Sequence, residues 1–188
     1  IIGVGIGATT TIMSVGNGLI LRGPAGISKP GEMITVHERA RNGSSFHSFS
    51  YLDFVALRDA GGGTDLAAYN IVPASVVFGG DPEVSLGLGV SGGYFPVLGV
   101  VPHLGRLLGP SDDQGGGGAR VVVLSYGAWQ NRFAGDSTVI GRALSVNGET
   151  HTIVGVATKG FHGHIAAFDC EVWVPLALSV AAGQRSML

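Results

Sequence analysis

The sequence predicts an α+β (mixed α/β) domain in which strands alternate with a few helices. Three observations point there. Val121-Val122-Val123-Leu124 is a continuous apolar run, as in a strand buried on both faces. Asn147-Gly148 separates two strand-like runs, and both residues accept the positive φ of a tight hairpin turn. Two segments, each behind a serine, carry helical character before a glycine or at a glycine-flanked end.

Composition narrows the classes further. Glycine is 33 of 188 residues, well above the usual ~7%. With 8 prolines the two types still fall short of the ~25–30% typical of a low-complexity chain, and 45% of residues are hydrophobic, so a core can form. Charged residues are only 13% and the net charge is −2, which leaves no basic footprint for a phosphate backbone and excludes nucleic acid as the expected partner. Cys170 is the single cysteine, which excludes an intrachain disulfide and a multi-cysteine zinc site.

From Ile1 to Leu21 no residue is charged, and Arg22 is the first that is. A helix of that length spans about 32 Å, enough for a hydrocarbon core of ~30 Å. Its nine branched aliphatic residues supply about −3 to −5 kcal/mol on an insertion scale, against five glycines, three threonines, Ser14 and Asn17. The stretch is therefore expected to be the outer part of a transmembrane helix, with a buried helix of a soluble protein as the alternative. The absence of an initiator Met and a basic leader argues against an intact signal peptide.

Pro24 and Pro30 end that helix. Met33 to His37 reads as a strand, and Arg39 to Ser45 as a loop. Ser48 or Ser50 caps a helix to about Ala60, with Tyr51, Phe54, Val55 and Arg58 at i, i+3, i+4 spacing. Ala68 to Phe78 reads as a strand that Pro73 confines to an edge or a bulge. Gly79-Gly80-Asp81-Pro82 turns it into a second strand, Glu83 to Ser91. Tyr94 to Leu98 gives one helical turn, Gly99 to Gly109 an irregular run, and Pro110 to Gly118 a flexible surface loop. Ser125 caps a helix from Tyr126 to Phe133; Ala143 to Val146 and Thr150 to Val156 form the hairpin about Asn147-Gly148; Glu171 to Val174 is the last strand.

Few residues suggest chemistry. Gly3-x-Gly5-x-Gly7 lacks the preceding strand and the acidic residue of a dinucleotide loop, and Gly115 to Gly118 lacks the Lys-Ser or Lys-Thr of a phosphate loop. His162 and His164, with His151, Asp169 and Cys170 in the same region, are the only metal-like set. If 162–164 were a strand, both imidazoles would share a face; solvent-exposed loop histidines are the plainer expectation. Ser125 sits between a strand and a helix but lacks the small neighbours of a nucleophile elbow, so it reads as a helix cap. Trp129 and Trp173 read as core aromatics. Arg106 and Arg142, each after a glycine, read as tethers for backbone carbonyls.

Longer patterns carry a resemblance. Ser48-x-x-Tyr51-x-Asp53-Phe54-x-x-Leu57-Arg58 comes first, followed by Gly89-Val90-Ser91-x-x-Tyr94-Phe95-x-Val97-Leu98-Gly99-Val100-x-Pro102-x-Leu104-Gly105-Arg106. Then come Val123-Leu124-Ser125-Tyr126-x-x-Trp129-x-x-Arg132-Phe133 and Gly135-Asp136-x-x-Val139-Ile140-Gly141-Arg142. Asn147-Gly148, Thr152-Ile153-Val154-Gly155-Val156, Gly160-Phe161-x-Gly163 and Val172-Trp173-Val174-Pro175-Leu176 close the series. In this order and spacing the chain resembles the MacB-like periplasmic core domain of FtsX-like bacterial ABC transporter permeases. The stretch Gly5 to Arg22 looks like the outer end of that family's first transmembrane helix.

The resemblance implies two parts: residues 1–22, the end of a transmembrane or stalk helix, and residues 23–188, the core domain, divisible into two subdomains with a flexible loop near 110–119. It implies structural roles for the motif residues from Tyr94 and Phe95 through Pro175, and none for Gly115 to Gly118 or His162 to His164. It implies no catalysis and no cofactor on this chain, with ATP bound by a separate ATPase chain or domain. The implied partners are that cytoplasmic ATPase, a periplasmic adaptor and a second permease copy. The implied location is the bacterial inner membrane, with this domain facing the periplasm or the extracellular side. Because such permeases continue into three more membrane helices, the chain is expected to be a fragment or an excised domain. Two other classes remain as alternatives: a secreted metal-dependent hydrolase using His162, His164 and Asp169, and a module that binds lipid or another hydrophobic ligand.

Overall fold

The structure, a computed structural model, describes residues 26–28, 33–34, 36, 38–39, 46–47, 50–61, 66–113, 119–165 and 168–178. The expected first helix and the Gly115 to Gly118 loop lie outside the described residues. Strand β1 (Glu38–Arg39) pairs antiparallel with β2 (Phe46–His47). Met33, Ile34 and Val36, expected in a strand, are not in one. Met33 packs on the core while Ile34 stays 88% exposed, and among the described residues no strand pairs with 33, 34 or 36.

Helix α1 (Tyr51–Ala60) begins at Ser50 with a reciprocal cap: Ser50 Oγ accepts from the Asp53 N–H, and the Asp53 carboxylate accepts from the Ser50 N–H. Of its expected apolar stripe only Phe54 is fully buried. With so little packing the cap matters more, and Ser50→Ala is expected to cost about 1 kcal/mol, measured by urea unfolding.

The remaining strands are β3 (Tyr69–Val77), β4 (Glu83–Val90), β5 (Pro102–Gly105), β6 (Val121–Leu124), β7 (Ala143–Val146), β8 (Glu149–Ala157) and β9 (Val172–Pro175). Helix α2 is Tyr94–Leu98 and α3 is Tyr126–Phe133. The strands form one mixed sheet in the order β5-β8-β6-β9-β4-β3-β7, and β7 also pairs with β8. That last pairing closes β8, β6, β9, β4, β3 and β7 into a ring, with β5 attached beside the end of β8. β4 with β9 and β6 with β8 are the parallel pairs.

Pro73 sits inside β3, opposite Leu86. β7 meets β3 only at Val76 and Val77, so around Pro73 β3 has a partner on one side alone among the described residues, and the missing N–H is tolerated. At the β7–β8 turn Asn147 has φ 52° and Gly148 φ 76°, the primed turn the dipeptide predicts. Asn147 also fastens the ring: its Oδ1 accepts from the Ser75 N–H and its own N–H donates to the Ser75 carbonyl, both at 2.7 Å.

Two expectations change, and one element was not foreseen. Within Gly99 to Gly109, expected to be irregular, Pro102–Gly105 is strand β5, held by pairing with the distant β8 rather than by any local alternation. Pro110–Asp113, expected in a flexible loop, is a 3-10 turn that buries Asp112. Ser137–Val139 is a second such turn.

Two cores flank the sheet. The first joins Ala74, Val76, Val122, Leu124, Leu144, Val146, Ile153, Val156, Val172 and Val174, with Trp129 and Val139 closing it. The second joins Leu88, Val90, Val123 and Trp173 to Tyr94, Phe95 and Leu98 of α2 and to Phe161 and Cys170. Alternation assigns Val122 and Leu124 to one core and Val123 to the other, so β6 is buried on both faces as its sequence predicts. Toward the first core β4 presents small residues. A Cβ on Gly87 would meet Val172 at 3.1 Å and Ala74 at 3.2 Å, so the glycine lets neighbouring strands approach. In β8, Ile153 and Val156 reach the same core although three residues apart, because the ladder to β6 shifts register between them.

Candidate functional site

The motif residues gather into three assemblies rather than one cleft. The first is built on α2. Phe95 meets Trp173 edge-on at 5.8 Å, and Trp173 stacks on Phe161 at 5.3 Å. Trp173 and Phe161 are buried, as the reading of Trp173 as core aromatic requires. Leu98 is followed by Gly99, whose left-handed φ of 64° closes the helix. Ser28, a residue the sequence did not single out, donates from its N–H to the Leu98 carbonyl and from Oγ to the Gly99 carbonyl. At the far end of the sheet ladder Pro175 pairs with Val90.

The second assembly is a clamp between β5 and β8. Gly105 and Gly155 are register partners, and a Cβ on Gly155 would lie 1.9 Å from the Arg106 carbonyl oxygen. Arg106 turns from that contact to Asp112, with Nη1 and Nη2 donating to its two carboxylate oxygens at 2.7 and 2.8 Å. The expected carbonyl tether is minor, a single 3.2 Å bond to Leu107; the fork geometry of guanidinium favours the carboxylate. Asp112 is only 4% exposed. Burial pushes its carboxyl up, but the Arg106 hydrogen bonds and the Gly109 N–H outweigh burial and hold it below the usual range.

A depressed carboxylate contributes stability that is complete above its unfolded pKa of ~3.9 and lost as pH falls through the lower folded value. Asp112→Asn is therefore expected to lower stability at pH 7 by about 1 to 3 kcal/mol. The wild-type and variant unfolding curves should converge as acid protonates Asp112, which urea titrations between pH 7 and pH 2 would read.

The third assembly follows α3. Ser125 Oγ accepts from the Ala128 N–H at 3.0 Å, so the residue is the expected cap. Trp129 Nε1 donates to the Asp136 carbonyl at 2.9 Å. Arg142 donates to the Asp136 carboxylate and to Thr138 Oγ1, both at 2.5 Å; here too a carboxylate and a hydroxyl replace the expected carbonyls. Gly141, before Arg142, has a φ of 87°.

The metal-like set does not converge. His162 pairs with Asp169 at 2.6 Å on the exposed surface, whereas His164 turns inward, Nδ1 2.9 Å from Tyr94 Oη. Residues 161–165 are not a strand, which removes the same-face geometry, and His164 is half-buried rather than a solvent-exposed loop residue. His151 lies on β8 with Nδ1 2.9 Å from the Glu149 carbonyl. Among the described residues no three His, Cys, Asp or Glu side chains are placed to hold a metal. Burial pushes the Cys170 thiol up to about 11, so it is not poised as a nucleophile. No described helix is long and apolar enough to cross a membrane.

Sequence reading singled out neither Asp112 nor Ser28 and gave Asp136, though in a quoted motif, no partner. Asp112 and Asp136 lie six residues from the arginines they bind, and the repeated Gly-Arg piece was the available signal; Ser28 had none.

Comparisons with known proteins follow the same lines. The family model of the MacB-like periplasmic core domain matches residues 1–187. The extracellular domain of the noncanonic ABC-type transporter YknZ from Gram-positive bacteria superposes with a TM-score of 0.57 at 20% identity, covering 72% of this chain and 67% of that one. The periplasmic region of MacB from Actinobacillus actinomycetemcomitans gives 0.45 at 22% identity, covering 60% and 46%. A permease-protein domain from Porphyromonas gingivalis gives 0.46 at 15% identity, covering 65% and 50%. The chain thus spans about half of the latter two. A comparison with curated protein sequences returns no match.

Proposed function

Because the chain belongs to the MacB-like periplasmic core domain family, we propose that it is the extracytoplasmic domain of a bacterial ABC transporter permease. In this reading it relays conformational change between the membrane and periplasmic events, and it catalyses no reaction itself. The observation that carries the reading is the family match over residues 1–187. The geometry supports a mechanical role. Ser28, near one end of the described chain, bonds to the last residues of α2 and its cap. Ala177, near the other end, donates its N–H to Asp113 in the 3-10 turn Pro110–Asp113. The first end is therefore fastened to α2, itself fixed to the sheet through Phe95 and Trp173, and the second to the turn that holds Asp113.

The domain needs no cofactor in this reading. ATP is bound by a cytoplasmic ATPase, the permease acts as a homodimer in the inner membrane, and a periplasmic adaptor meets the domain outside the cytoplasm. Deleting residues 26–178 from the full-length permease tests the proposal. The deleted permease is expected to reach the membrane and pull down its ATPase, while the transporter-dependent phenotype disappears. An unchanged phenotype would overturn it.

A further inference from the structure

His164 sits in the segment that crosses from β8 to β9 and roofs the second core. Phe161 of that segment stacks on Trp173, and the Gly163 backbone passes close enough that a Cβ there would be 3.5 Å from Cys170 Sγ and 3.6 Å from Leu88 Cδ1. The Cys170 N–H donates to the His162 carbonyl and the Phe168 N–H to the Ile165 carbonyl, so the described parts of the segment hold together. Beside Cys170, His164 is the polar group on the roof's inner side. Its ring stands edge-on to Tyr69 at 4.1 Å and to Tyr94 at 5.6 Å. Nδ1 is 2.9 Å from Tyr94 Oη, and Nε2 is buried with no hydrogen-bond partner.

We infer that His164 makes this roof a proton-operated latch, in which protonating the imidazole releases residues 161–165 and 168–170 from the sheet. A neutral ring has one donor and one acceptor, and the Tyr94 hydroxyl serves either tautomer at Nδ1. The imidazolium carries two N–H donors and a charge, and its buried Nε2–H meets no acceptor. Among the described residues the groups that meet its ring supply no countercharge: Tyr94 from α2, with Cys170 and Trp173 beside it, and Tyr69 from β3. Burial pushes the Tyr94 hydroxyl and the Cys170 thiol up, which keeps both neutral. The segment's own carboxylate, Asp169, is paired with His162 on the outer side. The same burial holds His164 below the ordinary histidine value.

The sign follows. A histidine whose closed-state pKa is depressed keeps the roof shut above the free value of ~6.5. Between that value and the depressed one, the closed form loses about tenfold in population ratio per pH unit.

Residue-resolved hydrogen exchange on the 188-residue chain from pH 8 to pH 5, corrected for intrinsic exchange, reads this directly, alongside NMR titration of the His164 ring. Expected is a ring midpoint below ~6.5, with protection of 161–165 and 168–170 falling about tenfold per pH unit in that window. His164→Phe should abolish the fall, and His162→Gln should keep it. His151, the buried histidine on β8 whose pKa is also lowered, would loosen residues 149–152 instead. A wild-type ring midpoint at or above the free value, or protection of the roof that is flat across it, overturns the latch even if His164→Phe fails to fold. So does a His164→Phe variant that folds and loses protection at the wild-type midpoint.

Discussion

Gly155→Ala is expected to lower stability by about 3 kcal/mol or more, the largest effect of any single-methyl change in the described chain. The added carbon would sit 1.9 Å from the Arg106 carbonyl oxygen, 2.7 Å from its carbonyl carbon and 3.0 Å from its nitrogen. All three are backbone atoms, so no side chain can swing aside, and β5 must separate from β8. Separation also withdraws Arg106 from Asp112, leaving a carboxylate that is 4% exposed without its main partner. For a domain of this size the melting temperature should fall by about 6 to 12 °C or more. Gly80→Ala is the control: nothing lies within 4 Å of its would-be Cβ, and stability should stay within about 0.5 kcal/mol of wild type. A Gly155→Ala chain that melts with the Gly80→Ala control would show that β5 is not held as described.

Trp173→Ala comes second, at about 3–5 kcal/mol. The indole is fully buried at the centre of the sheet, between Phe95 and Phe161, and its removal leaves a cavity that neither ring can fill without leaving its own contacts. Trp173→Phe separates shape from polarity. It keeps a ring on Phe161 and removes Nε1, which is buried without a hydrogen-bond partner. It is expected to recover most of the lost stability, to within about 1.5 kcal/mol of wild type. Chemical unfolding followed by far-ultraviolet circular dichroism measures both variants without relying on the replaced fluorophore. A loss of under about 1 kcal/mol in Trp173→Ala would contradict the burial of this site.

Elements written in short stretches of sequence were legible. Ser50 and Ser125 cap because a hydroxyl two or three residues ahead of free N–H groups acts locally, and Asn147-Gly148 turns because its own φ preferences suffice. What depends on distant partners was not. β5 exists through β8, some fifty residues later in the chain, and Pro-His-Leu-Gly carries no alternation of its own. Asp112 looked like loop polarity until Arg106 and the Gly105–Gly155 contact gave it a buried place. His164 looked like its neighbour His162, because nothing local states that Tyr94 waits across the core. The family was legible from the order of many short motifs, none of which explains itself alone. The ring closure was invisible, since the pairing of β3 with β7, far apart in the chain, is decided only in three dimensions.

The place of β9 in the sheet has a consequence for synthesis. Val172–Pro175 is the last strand among the described residues, yet it lies between β6 and β4, joining two halves made long before it. Until the ribosome has released it, β4 and β6 each expose an open edge, and the face of Leu88 and Val123 lacks Trp173. Such long-range pairing closes slowly. The sheet is therefore completed only after β9 has been made, with its window of exposure to aggregation or chaperones set by the arrival of one four-residue strand.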